Sequence, residues 1–378
     1  MKNYNEKIIV FSRFFLPGFK AGGPIKSLKS LIDRNEFKKN KIFIITSDRD
    51  QKSKAYKNIK LNQILIKKEF EIIYLSKYKQ NIFSFYKLIK QFNPSIIILN
   101  SFFDFNFSIK INLLNNLFFK KKVIIFSRGE LLKDAINIKK IKKNVFIFLA
   151  QKFNFYNKVK FLTSSMHEKK NIKFLFKINK VKFFPIPLNK INSINLRKLD
   201  YNRKNFKILF VSRIFKNKNL LFCLKILKNI KFNYVFNVAG PIEDSKYWNK
   251  CLVYAKENKI NLKYLGSLTN EKIPQLMKNS NCFLFPSEFE SFGHVIFESL
   301  SNGLPVITSS NTDWHNLKLN NCGGSFELKN IHYFINELIY LNSCSKKMYS
   351  KIRRNAYKYS QNIYKRNSVN LKNNYNIF

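Results

Sequence analysis

At 378 residues the chain exceeds what one hydrophobic core usually organises, so two domains of roughly 180 residues each are expected. Lys and Arg number 70 against 22 Asp and Glu, a formal charge of +48 that draws phosphates, anionic lipid headgroups or nucleic acid without choosing among them, while 45% hydrophobic residues supply two cores. Five cysteines form no Cys-x-x-Cys pair and have no histidine at metal-ligand spacing, which excludes a zinc module and suits buried, reduced thiols in a cytoplasmic protein. The same composition is crowded with Asn, Ile and Phe, whose codons are rich in A and T, so part of the charge reflects base composition. The amino terminus carries no signal-like apolar segment, and apolar runs are too short to cross a membrane, so any membrane contact is expected to be peripheral.

In chain order, strands are predicted at Ile8–Ser12, Ile42–Thr46, Ile72–Leu75, Ser95–Leu99, Val123–Ser127 and Val159–Leu162. These runs are apolar throughout rather than alternating, the pattern of parallel strands covered on both faces, and amphipathic helix-length segments separate them. A doubly wound α/β domain over 1–190 follows. A Lys- and Asn-rich passage at 191–205 reads as the linker. The alternation resumes with Phe206–Val211, Tyr234–Ala239, Leu262–Leu265, Cys282–Phe285 and Pro305–Thr308, giving a second doubly wound domain over 206–345. Residues 346–378 read as a basic helical segment whose end, from Asn370, is expected to be disordered. Open parallel sheets bind ligands beyond the carboxyl ends of their strands, so a ligand cleft between the two domains is expected.

The motifs fall at such strand ends. After the first strand, Gly22-Gly23-Pro24 precedes an amphipathic stretch: proline suits a helix's first turn, and the glycines let backbone N–H groups approach an anion at its N-terminus. A phosphate loop and a flexible turn are both compatible with it, but a Walker A loop is not, because no Gly-Lys-Ser/Thr follows. Arg213 closes a strand and Lys218 opens the next helix, so the two cations can converge on a diphosphate or simply decorate a solvated loop. Gly240 begins a glycine turn with Asp244 or Ser245 placed to cap a helix. Glu290 and Glu298 flank the turn Ser291-Phe292-Gly293, and His294 lies one turn before Glu298 on the predicted helix, an arrangement for hydroxyl-rich ligands. Trp314 reads either as a ring platform or as a packed loop aromatic. In the first domain, Arg128 and Glu130 follow a strand and are placed either to face the cleft or to form an exposed ion pair.

Together the blocks FLPGFKAGGPIKSL, ITSDRD, SRGE, VSRIFKNKNL, AGPIEDSKYWNKC, ESFGHVIFESLSNGLPVI and NTDWHNLKLNNCGG resemble, over nearly the whole chain, the GT-B glycosyltransferases of family 4, in particular those of bacterial cell-surface polysaccharide clusters. That resemblance implies two Rossmann-like domains facing each other across a cleft and a retaining enzyme moving a hexose from a nucleotide diphosphate sugar, its substrate rather than a cofactor, without bound metal. It assigns Arg213 and Lys218 to the diphosphate, Glu298 to the ribose, Glu290 with Ser291, Phe292 and Gly293 to the transferred sugar, and Gly22, Gly23 and Gly240 to the donor side. Arg128, Glu130 and His294 are candidates for the acceptor or catalytic loop. The acceptor is expected to be a lipid-linked or growing glycan, which would bring the basic first domain against the inner face of the plasma membrane. Three positions depart from the family pattern: Ser127-Arg128-Gly129-Glu130 where many members carry a histidine, Pro187-Leu188-Asn189 where Asn-Gly is usual, and Asp313 where proline is expected. A sugar-nucleotide epimerase of the same architecture predicts turnover without acceptor. A nucleic-acid-binding protein has only the charge and the 16% aromatic content behind it, with no recognisable motif, and no nucleic-acid partner is expected.

Overall fold

The computed structural model describes residues 4–378 except 35, 52, 138–139, 179, 192 and 194–204, so most of the predicted linker lies outside the described residues. The chain divides into two compact units, residues 1–189 with 367–378 and residues 190–366.

The first unit holds eight strands: β1 (Lys7–Phe11), β2 (Lys41–Ser47), β3 (Ile64–Ile66), β4 (Glu71–Leu75), β5 (Ile96–Leu99), β6 (Lys122–Phe126), β7 (Lys160–Thr163) and β8 (Val181–Phe183). Their spatial order is β3-β4-β2-β1-β5-β6-β7-β8, all parallel except β3, which runs antiparallel to β4. The continuous apolar runs are explained by the two cores they feed. Ile9, Phe11, Phe43, Ile45, Ile97 and Leu99 point to one face, while Ile8, Val10, Ile42, Ile44, Ile96 and Ile98 point to the other, and all are essentially inaccessible. Helices such as Gly23–Ile32 and Ile82–Phe92 cover the faces with buried Leu28 and Leu31, and Phe85 and Ile89.

The second unit is a six-stranded, fully parallel sheet of β9 (Phe206–Val211), β10 (Tyr234–Ala239), β11 (Leu262–Tyr264), β12 (Cys282–Phe285), β13 (Val306–Ser309) and β14 (Gly323–Phe326), in the order β11-β10-β9-β12-β13-β14. The chain winds outward from β9 to β11, then returns to lay β12 against β9, pairing Cys282 with Ile208 and Phe283 with Leu209. Gly240 shows why glycine ends β10: at φ 139°, an added Cβ would lie 1.9 Å from the Ser212 carbonyl oxygen. Cys223, Cys251, Cys282 and Cys322 are buried.

The carboxyl terminus differs from expectation. A helix runs over Lys346–Asn374, and Tyr375–Ile377 adds a 3-10 turn, where a disordered end is predicted. Leu371 and Ile377 are buried in the first unit's core, and Phe378 packs edge-on against Phe37 at 5.1 Å. Apolar burial at Leu371, Ile377 and Phe378 outweighs the polar tone of the Asn-rich tail.

Candidate functional site in the second unit

In the second unit the strand order reverses between β9 and β12, so the loops after these neighbours diverge and leave an opening at the carboxyl edge of the sheet. Arg213 follows β9, Lys218 ends the 3-10 turn Lys216–Lys218, and Glu290 lies on the loop after β12. Lys218 Nζ and Glu290 Oε1 are 2.5 Å apart, with the side chains only 11% and 15% exposed. Two loops distant in sequence thus meet in one ion pair. They are clasped by the backbone as well: Glu288 N–H donates to the Asn217 carbonyl at 2.9 Å, and the Ser287 hydroxyl lies 3.1 Å from that same oxygen and 3.4 Å from Glu290 Oε1. The ammonium of Lys218 stands 5.9 Å above the Phe285 ring, the last residue of β12.

Arg213 has its own carboxylate. Its Nη1 is 2.9 Å from Glu243 Oε2, on the loop after β10, and this pair is more open, 39% and 23% exposed. Glu243 and Asp244 both donate backbone N–H groups to the Ile214 carbonyl, which fixes the loop against the residue beside Arg213. Asp244 Oδ1 accepts from Tyr247 N–H and caps the helix Ser245–Glu257. Glu243 is the site residue that sequence reading passed over, because beside a capping Asp244 its charge had a sufficient explanation.

After Glu290 the chain turns through Ser291, Phe292 and Gly293 into the helix His294–Ser301. Gly293 sits at φ 78° as the residue before the helix, and Ile296, Phe297 and Leu300 are buried, leaving His294 and Glu298 half-buried one turn apart. Trp314 is a packed residue rather than a platform: at 3% exposure its Nε1 donates to the Phe292 carbonyl at 2.5 Å, and the two rings meet at 5.3 Å. That bond pins the turn carrying Ser291 to Gly293.

In the first unit, Gly22 adopts φ 69° and precedes the helix Gly23–Ile32, and a Cβ there would meet nothing within 4 Å. The loop before it is held by Asp50, whose Oδ2 accepts N–H donors from Phe19 at 2.7 Å and Lys20 at 2.9 Å. Arg128 and Glu130 form no ion pair with each other and are engaged within this unit. Arg128 donates through Nε to Asn100 Oδ1 at 2.8 Å and through Nη1 to Ser27 Oγ at 2.7 Å, and burial pushes its guanidinium down to about 10, so it stays charged at neutral pH. Glu130 accepts from Ser101 Oγ and from the backbone of Phe102 and Phe103 at 2.8–2.9 Å; burial raises its pKa and these donors oppose that rise. The exposed ion pair, one of the two readings open in sequence, is not formed, because each charge has polar partners within the unit. Here they tie the loops after β5 and β6 together.

Two doubly wound, Rossmann-like units in one chain, with cations and carboxylates gathered at the second sheet's switch point, define the GT-B fold, and solved structures agree. The Anabaena protein HepE, solved in complex with UDP-glucose, superposes with a TM-score of 0.66 over 97% of this chain and 100% of its own at 13% identity. Residues 192–359, which lie in the second unit, match the model of the family described as glycosyl transferases group 1. An uncharacterized glycosyltransferase of Methanocaldococcus jannaschii is 28% identical over 59% of this chain and 57% of its own length. The UDP-Gal:alpha-D-GlcNAc-diphosphoundecaprenol alpha-1,3-galactosyltransferase of Escherichia coli is 32% identical over 41% of this chain and 42% of its own length. The chain thus spans about half the length of these curated relatives. Among the described residues no helix is long and apolar enough to cross a membrane.

Proposed function

We propose that the chain is a retaining glycosyltransferase that moves a hexose from a nucleotide diphosphate sugar to a lipid-linked or growing glycan in cell-surface polysaccharide synthesis, working peripherally at the inner face of the plasma membrane. The observation that carries this reading is the convergence of Lys218 and Glu290 at the switch point of the second sheet, with Arg213 and Glu243 beside them. In that role Lys218 and Arg213 neutralise the charge that develops on the diphosphate as the bond to the sugar breaks, so the reading requires no metal. Glu290 and the backbone from Ser291 to Gly293 hold the sugar being moved, and Glu298 accepts hydrogen bonds from the ribose hydroxyls. The acceptor hydroxyl attacks from the face the diphosphate leaves, and a departing phosphate oxygen takes its proton, which preserves the anomeric configuration. The relatives named above, one acting on a UDP-sugar and one solved with UDP-glucose, support a nucleotide sugar as donor.

The test is a thermal-shift screen of the purified chain against UDP-, GDP- and ADP-sugars, since a ligand bound only by the folded state raises the melting temperature. Arg213→Ala and Glu298→Ala should each weaken donor binding or turnover by about tenfold or more, on the order of 1.4 kcal/mol. Wild-type donor kinetics in both variants would dismiss the assigned site. Conversion of the nucleotide sugar to an epimer with no acceptor present would instead identify an epimerase.

A further inference from the structure

The helix Lys140–Lys152 is apolar on two sides. Inward, Ile147 and Ala150 are buried in the first unit's core and Phe146 packs against it. Outward, Ile141, Val145, Phe148 and Leu149 are 81%, 54%, 61% and 45% exposed, and Phe153, just past the helix, is 72% exposed. Intervals of four, three, one and four residues place these side chains along one helical stripe. The neighbouring helix Met166–Phe176, whose Leu175 carbonyl accepts from the Gln151 amide, adds Phe174 at 81% exposure. Soluble surfaces rarely gather so many large apolar groups unless a partner covers them.

The charge around the stripe has one sign. No Asp or Glu occurs from 135 to 167, whereas Lys140, Lys142, Lys152 and Lys158 are exposed. A second copy of the chain on this face would set lysine against lysine. A nucleic acid would satisfy the lysines but leave Ile141, Val145 and Leu149 in water. An anionic bilayer satisfies both groups, because acyl chains accept the apolar stripe while phosphate headgroups meet the ammonium groups. We propose that this face of the first unit is the seat by which the protein binds an anionic lipid bilayer. The inference rests on the reading that the acceptor is lipid-linked, and it specifies the surface that would bring the enzyme to it.

The full chain should co-sediment with vesicles of phosphatidylcholine containing about a third phosphatidylglycerol and show at least about tenfold weaker partition to pure phosphatidylcholine, with binding falling as salt rises. Phe148→Ser with Phe153→Ser alters only outward side chains and should lower partition at least about tenfold with an unchanged circular dichroism spectrum. Equal partition of the double variant and wild type would overturn the proposal, as would dimerisation through this face that the double variant abolishes. A second readout is independent of that variant. Phe148→Trp should be quenched by brominated lipid, against a baseline in which Trp248 and Trp314 are only 7% and 3% exposed, and absence of quenching would also overturn the seat. Donor binding by the same preparation reports separately on sugar transfer, so either reading can fail alone.

Discussion

Glu290→Gln offers the most discriminating test of the site because it should move two measurements in opposite directions. Lys218 is held by Glu290 at 2.5 Å in a place that is mostly buried. A diphosphate that recruits Lys218 must draw it from that carboxylate and tolerate a negative neighbour. Two unit charges about 4 Å apart interact by about 4 kcal/mol at an effective dielectric constant near 20, so this competition is substantial. The glutamine amide keeps a hydrogen bond to the ammonium but not the charge. The ammonium–amide bond is still charge-assisted but lacks the attraction of the opposite charge, so roughly 1 kcal/mol of restraint on Lys218 is lifted, or about fivefold in affinity. Isothermal titration with the nucleoside diphosphate that stabilises the wild type should therefore show tighter binding in the variant. Sugar transfer should fall by about tenfold or more, since the carboxylate that grips the sugar is gone. Unchanged or weaker nucleotide binding would refute partner exchange at Lys218.

Arg353 is 2% exposed and donates to the carbonyls of Gly303, Ser280 and Lys278 at 2.8–3.2 Å, which ties the ends of two helices to the last long one. Arg353→Met strands these carbonyls and should cost about 3 kcal/mol, seen in calorimetry as a fall of about 6–12 °C in the second unit's transition at about 2–4 °C per kcal/mol; an unchanged transition would refute the bracing role. Burial raises the Glu168 carboxyl from its ordinary value near 4.5 to about 7, although Leu131 N–H donates to it. The folded state therefore holds this proton more tightly than the unfolded chain, and stability falls as pH rises from about 4.5 to 7, by roughly 3 kcal/mol in all. In melts at pH 5.5 and 8.5, Glu168→Gln should lose less stability than wild type at the higher pH, and parallel profiles would count against the assignment. Gly240→Ala forces a Cβ to within 1.9 Å of the Ser212 carbonyl and should cost several kcal/mol by denaturant titration; a variant as stable as wild type would show that the β9 and β10 ends are not so tightly joined.

The strands that build both sheets' centres were legible because each is a run of Ile, Val and Phe feeding two cores at once, as at Ile8–Val10 and Ile42–Ile45. Those missed lie at the edges. Ile64–Ile66 is a three-residue antiparallel strand with Ile66 83% exposed, and Val181–Phe183 has lysine at its centre. Gly323–Phe326 carries little strand propensity before Phe326, and Gly323 lets the backbone approach Val306, where a Cβ would sit 1.9 Å from the carbonyl oxygen. Within the site, Arg213, Lys218 and Glu290 could be placed at strand ends from sequence, but their partnership with each other and with Glu243 could not. Pairing across 72 residues, as between Lys218 and Glu290, depends on strand order, which no local pattern encodes. Trp314 was open in sequence for the same reason, since its partner is a backbone carbonyl 22 residues away.

The return of residues 367–378 to the first unit sets a sequence of events for the newborn chain. The first sheet's strands leave the ribosome early, yet Leu371 and Ile377, which close one of its cores, are synthesised only after residues 190–366. At about 5–20 residues per second, that interval is roughly 10 to 35 s. During it the rings of Phe37 and Phe184 lack the cover that Phe378 later provides. The second unit has all its residues in one stretch and can be finished first, so the unit whose strands are made first is the last to be completed.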